Sequence, residues 1–393
     1  MLGLLATTLG CSVPAAPLRS ATRASWELMP EFSATVATGV SFYTPTEGMI
    51  IGGQDGVGAQ IWRTEDGGRE NIPAAIESGE LPPLLILHGA KLRESAVASG
   101  IFAAWSSQDG GRSFRAAEGP GAIGPAQSVD AFLQNGNLKF AIVGDTIGFN
   151  GVSVSDDSGA TFGAGVEVFE DRSIEGNIWA RYGAFPDESA WFVSGGRWPT
   201  SSQQQNDDSV HFLSQSVFVK KAPAANESKF GFVLPSQHRR AQDANPFTAG
   251  IAKSTDMGQT WETVFETETA GYYFNQISCF TAERCVVVAE GGGQARIFTS
   301  SDGGREWRQT LLATGSIMAV EAISPTGEGW AAGGVLGLQF TGLYWHTADF
   351  GESWQVQEVP GVYAFDLSFP PGFVDVGYSV ALTPAASRLV RYN

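Results

Sequence analysis

Six carboxylates recur along this chain in one repeated setting, and regularly spaced carboxylates can serve as acid–base pairs, calcium ligands or turn staples. They are Asp66, Asp109, Asp157, Asp256, Asp302 and Asp349. The segments read TEDGGRE (64–70), SQDGGRSF (107–114), SDDSGATF (155–162), STDMGQTW (254–261), SSDGGREW (300–307) and TADFGESW (347–354). The shared pattern is Ser/Thr, any residue, Asp, any residue, Gly, any residue, then usually Ser/Thr and an aromatic. A Ca²⁺ loop needs closely alternating acidic ligands that end in a bidentate Glu, and Asp156 beside Asp157 does not meet that need. Turn chemistry accounts for every position instead. The Asp can accept hydrogen bonds from N–H groups of its own turn. Gly68, Gly111, Gly159, Gly258, Gly304 and Gly351 can take positive φ. The closing Phe or Trp anchors the turn in the sheet.

The remaining reactive residue types do not assemble into a catalytic set. His88, His211, His238 and His346 share no ligand spacing, which points to structural or surface roles. There is no Ser-His-Asp arrangement, no HExxH and no phosphate loop, and GGGQ (291–294) reads as a hairpin because no helix follows it. A sialidase would need converging arginines and a Tyr–Glu pair. Only Arg181 and Tyr182, adjacent in NIWARYGAF (177–185), suggest one. Neighbouring strand residues point to opposite faces, so the expectation is one side chain in a central tunnel and one in a blade interface. No metal and no cofactor is expected.

The spacing of the turns defines the elements that position them. The intervals between the six Asp residues are 43, 48, 99, 46 and 47 residues. A period in the forties with strand-like runs between turns is that of a propeller blade of four antiparallel strands. QISCF, CVVVAEG and ARIFTS precede the fifth turn; AVEAIS, GWAAGG and LYWHTA precede the sixth; GVSFYT, GMIIGG and AQIWRT precede the first. Each set is an inner strand, an apolar second strand often ending in Gly-Gly, and a third strand running into the turn, so the turn joins strands three and four. The long interval reads as one blade with an insertion at about 197–247, between AWFVSGG (190–196) and TAGIAKS (248–254). After the last turn, AFDLSF, YSVALT and RLVRYN supply three strands and no fourth, while SWELMP (25–30) near the other end resembles a fourth strand. Pairing the two completes a seventh blade and leaves no open edge. The expected fold is therefore all-β, a seven-bladed propeller over residues 25–393.

Composition fits that fold. The 393 residues include 49 Gly, 11 Trp and 25 Phe with 17% charged residues, as many turns and aromatic wedges require. No run of 18 apolar residues offers a transmembrane segment. A formal charge of −17 argues against nucleic acid as a partner.

Cys279 and Cys285 flank a strand turn in CFTAERC and can reach bridging distance. Such a bridge would add about 2 kcal/mol in the entropic account and would place the chain in an oxidising compartment. The alternative is a pair of reduced, buried thiols. The first 24 residues, including Cys11, have a short apolar core followed by small residues and read as a signal or leader segment, though without a basic start. The insertion departs from the acidity of the rest. Its Arg197, Lys220, Lys221, Lys229, Arg239 and Arg240 face only Asp207, Asp208, Glu227 and Asp243, a balance of +2. Its apolar runs VHFLSQSVFV and FGFVL can pair as a hairpin. Loops on a rigid scaffold commonly carry recognition, so Arg181, Arg197, Lys220, Lys221, Arg239 and Arg240 are the partner-binding candidates; a solvated loop with no partner is the plainer reading.

The turns resemble the Asp-box (BNR) repeat of sialidases, sortilin-type receptors, some glucanases and the photosystem II stability/assembly factor family. The broadest resemblance is to the last. It rests on the DGG-type turns, their spacing, the seven-blade count and the segment FNQISCFTAERCVVVAEGGG (274–293). That resemblance implies a non-catalytic scaffold that binds a protein partner, a photosystem II subunit in a photosynthetic source. In that family a basic patch carries binding, and this acidic ring does not match the patch residue by residue. The expectations are a monomeric, extracytosolic (secreted or thylakoid-lumen) protein-binding propeller, with a glycan hydrolase of sialidase or glucanase type as the alternative.

Overall fold

The computed structural model describes residues 24–54, 58–77, 86–100, 103–122, 128–146, 149–169, 178–197, 219–220, 231–232, 247–267 and 271–393. Seven antiparallel sheets form a ring of blades. Their inner strands are Val36–Phe42, Ile86–Leu92, Ser128–Gln134, Ala180–Asp187, Tyr273–Thr281, Ser316–Ala322 and Tyr363–Ser368, in blades 1 to 7. Each inner strand neighbours the next, and the last neighbours the first, so the ring closes. Blade 2 carries an extra outer strand, Ala75–Ile76, which pairs parallel to Ser113–Ala116. Among the described residues the only helical element is the 3-10 turn Pro120–Ala122.

The ring is closed by strand pairing between the chain's two ends, as the sequence predicts. Trp26–Ala34 is the fourth strand of blade 7 and pairs antiparallel with Ser387–Tyr392, with Trp26 opposite Tyr392. Ser25 N–H donates to the Asn393 carbonyl at 3.1 Å, and Asn393 N–H returns a bond to the Ser25 carbonyl at 3.4 Å. The break in the covalent chain thus falls between strands three and four, where the other six blades carry their Asp turn.

The core is divided into wedges between neighbouring blades. The wedge between blades 6 and 7 packs Trp26 against Trp330, Tyr344, Phe369 and Tyr392, with Trp26 stacked on Tyr344 at 4.4 Å between ring centroids. The wedge between blades 7 and 1 stacks Phe42 on Tyr378 at 3.5 Å. The other wedges mix small and aliphatic residues with aromatics: Ala96, Ala98, Met49 and Ile51 pack with Trp105 and Phe114 between blades 1 and 2, and Phe192, Phe274 and Phe298 meet between blades 4 and 5. Because strands alternate their side chains between two faces, each blade serves two wedges, and the second strands of blades 4 and 7 are buried along their whole length.

The Gly-Gly signature of the second strands has a steric cause. Most inner strands carry a β-bulge near their start, for instance between Ala37 and Gly39, between Ala180 and Tyr182, and between Ile317 and Ala319. The glycine opposite the bulge meets the backbone directly. A Cβ on Gly52 would lie 2.0 Å from the Val36 carbonyl oxygen, and one on Gly333 would lie 2.1 Å from that of Ser316.

The long interval between turns is an insertion in blade 4, between the second strand Ala190–Arg197 and the third strand Thr248–Ser254. Within it, Val219–Lys220, at the end of the first apolar run, pairs antiparallel with Gly231–Phe232 inside the second. Strands one and three of a blade run the same way, so the first hairpin turn and the Asp turn share one face of the ring. Gly67 N–H bonds the Thr46 carbonyl at 2.8 Å, Gly110 that of Glu94 at 2.8 Å and Gly303 that of Glu283 at 2.9 Å. The insertion leaves from the opposite face.

Candidate functional site in the central tunnel

All six Asp turns are self-contained staples. In the second, Ser107 Oγ donates to Asp109 Oδ1 at 2.7 Å and accepts the Gly111 N–H at 2.9 Å, while Asp109 Oδ1 accepts the N–H groups of Arg112 and Ser113 at 2.9 and 3.0 Å. The bond from the glycine N–H to the Ser/Thr hydroxyl and the bond from the N–H four residues after Asp to its Oδ1 recur around Asp66, Asp157, Asp256, Asp302 and Asp349. Burial alone would push the Asp109 carboxyl up, but these donors hold it down at about 2. At Asp256 the Thr260 hydroxyl and N–H and the Ser254 hydroxyl bring it to about 2. Carboxylates so fully committed as acceptors are structural at neutral pH.

Two consecutive residues of each turn have positive φ. Gly67 and Gly68 sit at 76° and 87°, while in three turns a side chain precedes the glycine: Ser158 at 61°, Met257 at 60° and Phe350 at 63°. In four of the six turns, at Gly68, Gly159, Gly304 and Gly351, this glycine also packs flush on the preceding blade. A Cβ on Gly159 would lie 2.2 Å from Val97, and one on Gly304 would lie 2.7 Å from the Phe192 ring. The turns therefore couple blades as well as strands. Their closing tryptophans donate Nε1 to the turn carbonyl, as Trp307 does to Gly304 at 3.1 Å.

An inner strand has one unpaired edge, which faces the tunnel, and its N–H groups need acceptors. Side chains of the preceding blade supply them. Asp366 Oδ2 accepts the Val40 N–H at 2.9 Å, and Ser368 Oγ accepts that of Phe42 at 2.8 Å. Ser41 Oγ accepts the Lys91 N–H at 2.9 Å, and His88 Nδ1 accepts that of Val129 at 3.2 Å. Asp130 accepts from Gly183. Gln276 Oε1 and Ser278 Oγ take Val320 and Ala322 at 2.8 and 3.0 Å, and Glu321 Oε2 takes Phe369 at 2.8 Å. These polar residues stitch blade to blade.

The stitching surrounds a cavity of about 310 Å³ toward the Asp-turn face, lined from all seven inner strands by residues that include His88, Asp130, Gln276, Glu321, Ser368 and Phe185. Cys279 is also part of this wall, and its disulfide to Cys285 is present, the two being directly paired across neighbouring strands of blade 5.

Near the opposite face, Arg181 lies in the bulge of the blade 4 inner strand with its guanidinium over the Tyr273 ring at 4.8 Å. Tyr182 reaches into the tunnel, its ring edge-on to His88 at 5.8 Å. Tyr182 also packs against the wedge between blades 4 and 5. The Tyr273 hydroxyl donates to Glu290, a buried Tyr–Glu pair that the sequence reading missed because the partners lie on adjacent strands. Burial and the nearby Glu290 charge hold that hydroxyl well above its ordinary value, the opposite of an activated nucleophile. Of the other partner-binding candidates, Arg197 is buried with its guanidinium 5.0 Å from the Trp179 ring, and Lys220 lies in the short hairpin of the insertion. Lys221, Arg239 and Arg240 lie outside the described residues, as do His211, His238 and the leader residues 1–23. His346 packs on Trp330 at 4.8 Å and bonds Glu328 at 2.6 Å.

The architecture defines a closed seven-bladed β-propeller with stapled corners and a stitched tunnel. No protein-family profile matches the sequence, and no curated protein matches it. Among solved structures, the chain is similar in fold to YCF48 bound to a D1 peptide, with a TM-score of 0.53 and 17% identity over 97% of this chain and 99% of that one. It is similar to YCF48 from Cyanidioschyzon merolae at a TM-score of 0.50 and 14% identity, covering 94% and 98%. U3-55K, at a TM-score of 0.56 and 10% identity, covers 93% of this chain and 98% of its own.

Proposed function

We propose that this chain is a non-enzymatic propeller that holds a segment of a protein partner. The observation that carries the reading is the commitment of the tunnel's polar side chains to neighbouring backbone N–H groups. A ring whose interior groups are spent on its own closure leaves recognition to its loops. The largest of these is the insertion of blade 4, where Lys220, Lys221, Lys229, Arg239 and Arg240 outnumber Asp207, Asp208, Glu227 and Asp243 within an acidic chain. A basic loop on an acidic ring favours an acidic peptide segment and orients its approach. The end-to-end likeness to a propeller solved with a bound D1 peptide supports a protein as the partner, and a photosystem II subunit is the finer reading. The Cys279–Cys285 bridge supports an oxidising compartment, secreted or lumenal, and the closed ring needs no second copy.

The test is partner capture from an extract of the source by the full chain and by a chain lacking residues 201–242. Capture by the first and loss by the second, with the melting temperature retained, is the expected result. Turnover of sialosides or β-glucans by the purified chain would overturn the reading.

A further inference from the structure

The tunnel gathers more acid than its surroundings can neutralise. Asp130 of blade 3, Glu321 of blade 6 and Asp366 of blade 7 project from inner strands into one ring, and the first two share the cavity with His88. Asp366 Oδ2 lies 3.7 Å from His88 Nε2, and since Nδ1 accepts the Val129 N–H, Nε2 is the nitrogen that faces the carboxyl. Asp130 Oδ2 is buried without a hydrogen-bond partner.

The other elements around the cluster bring little positive charge. Blade 1 presents no titratable side chain on its inner strand. Lys91 of blade 2 turns its Nζ to the Arg93 carbonyl at 2.6 Å. Blade 4 brings the Tyr182 phenol, with the Arg181 guanidinium over Tyr273, and blade 5 brings Tyr273 and a further carboxylate, Glu290.

We infer that Asp130, Glu321 and Asp366 form a pH-sensitive latch that holds the ring tight while they are protonated and loosens the inner strands when they ionise together. Each carboxyl stitches two blades, so repulsion among the three acts on the blade junctions themselves. Burial pushes Asp130 up to about 7 and Glu321 up to about 8, and the Asp366 charge adds to both; burial raises Asp366 as well, against the opposing effect of His88. A carboxyl raised in the folded state favours folding below its unfolded value of about 4, and that contribution is lost as pH rises through the folded value. Stability should therefore decline from mildly acidic pH to roughly pH 8 to 9.

Thermal melts of the full chain at several pH values test this, beside the Asp130→Asn, Glu321→Gln double variant, which keeps both N–H acceptors. The expected result is a wild-type melting temperature that falls by several degrees between roughly pH 5 and pH 8.5, with at least half of that fall absent in the variant. An equal fall in the variant, or a wild type more stable at the alkaline end, overturns the latch. Should the variant not fold, infrared difference spectra of the wild type decide: a protonated-carboxyl band that disappears between roughly pH 6 and pH 9 supports it, and none above roughly pH 6 overturns it.

Discussion

At the scale of single residues, the Asp turns show one glycine with two duties. Gly159 takes a φ of 85° and also lies against Val97 of the neighbouring blade, so Gly159→Ala meets both backbone strain and overpacking. Together these should cost about 2–4 kcal/mol, read as a lowered denaturation midpoint. One position earlier the sign reverses. Ser158 holds a φ of 61° without being glycine, and Ser158→Gly relieves that strain for a gain of up to about 1 kcal/mol. The conformational duty was legible from the repeated Gly, since every turn keeps it. The packing duty was not, because nothing in SDDSGATF names Val97, about sixty residues earlier. The tunnel acids were missed for a related reason: Asp130, Glu321 and Asp366 each stand alone in sequence, and only the ring brings them together.

At the scale of elements, the hairpin of blade 5 shows how little a short bridge adds to a strand pair already in register. Cys279 and Cys285 face one another within a ladder that continues from Thr281 and Arg284 back to Tyr273 and Glu290. Reduction should leave the hairpin paired and lower stability by no more than about 2 kcal/mol, as read from urea denaturation with and without dithiothreitol. Strand order, the place of the turns and the blade 4 insertion could all be read from the sequence because period and apolar alternation are local signals. The bulges were not legible. In blades 1, 4 and 6 they fall where the inner strand meets a second-strand glycine, and the Gly-Gly pairs in GMIIGG, AWFVSGG and GWAAGG were their trace.

At the scale of the whole molecule, closure depends on a strand contributed by the other end of the chain. Trp26 is the main apolar anchor of that strand, 3% exposed among Trp330, Tyr344, Phe369 and Tyr392. Trp26→Ala should cost about 3–5 kcal/mol and make blades 6 and 7 the first to open, measured by thermal melts and by hydrogen exchange in those blades. The seven-blade count and its closure followed from counting strands at both ends, and the wedge-like division of the core follows from them.

Residues 25 and 393 hydrogen-bond each other at the rim, at the corner where six sister blades have an uninterrupted turn. The covalent order of the blades is therefore separable from their spatial order. A circular permutant that bridges these ends with a short glycine linker and begins instead inside the blade 4 insertion would keep every strand pair of the native wheel.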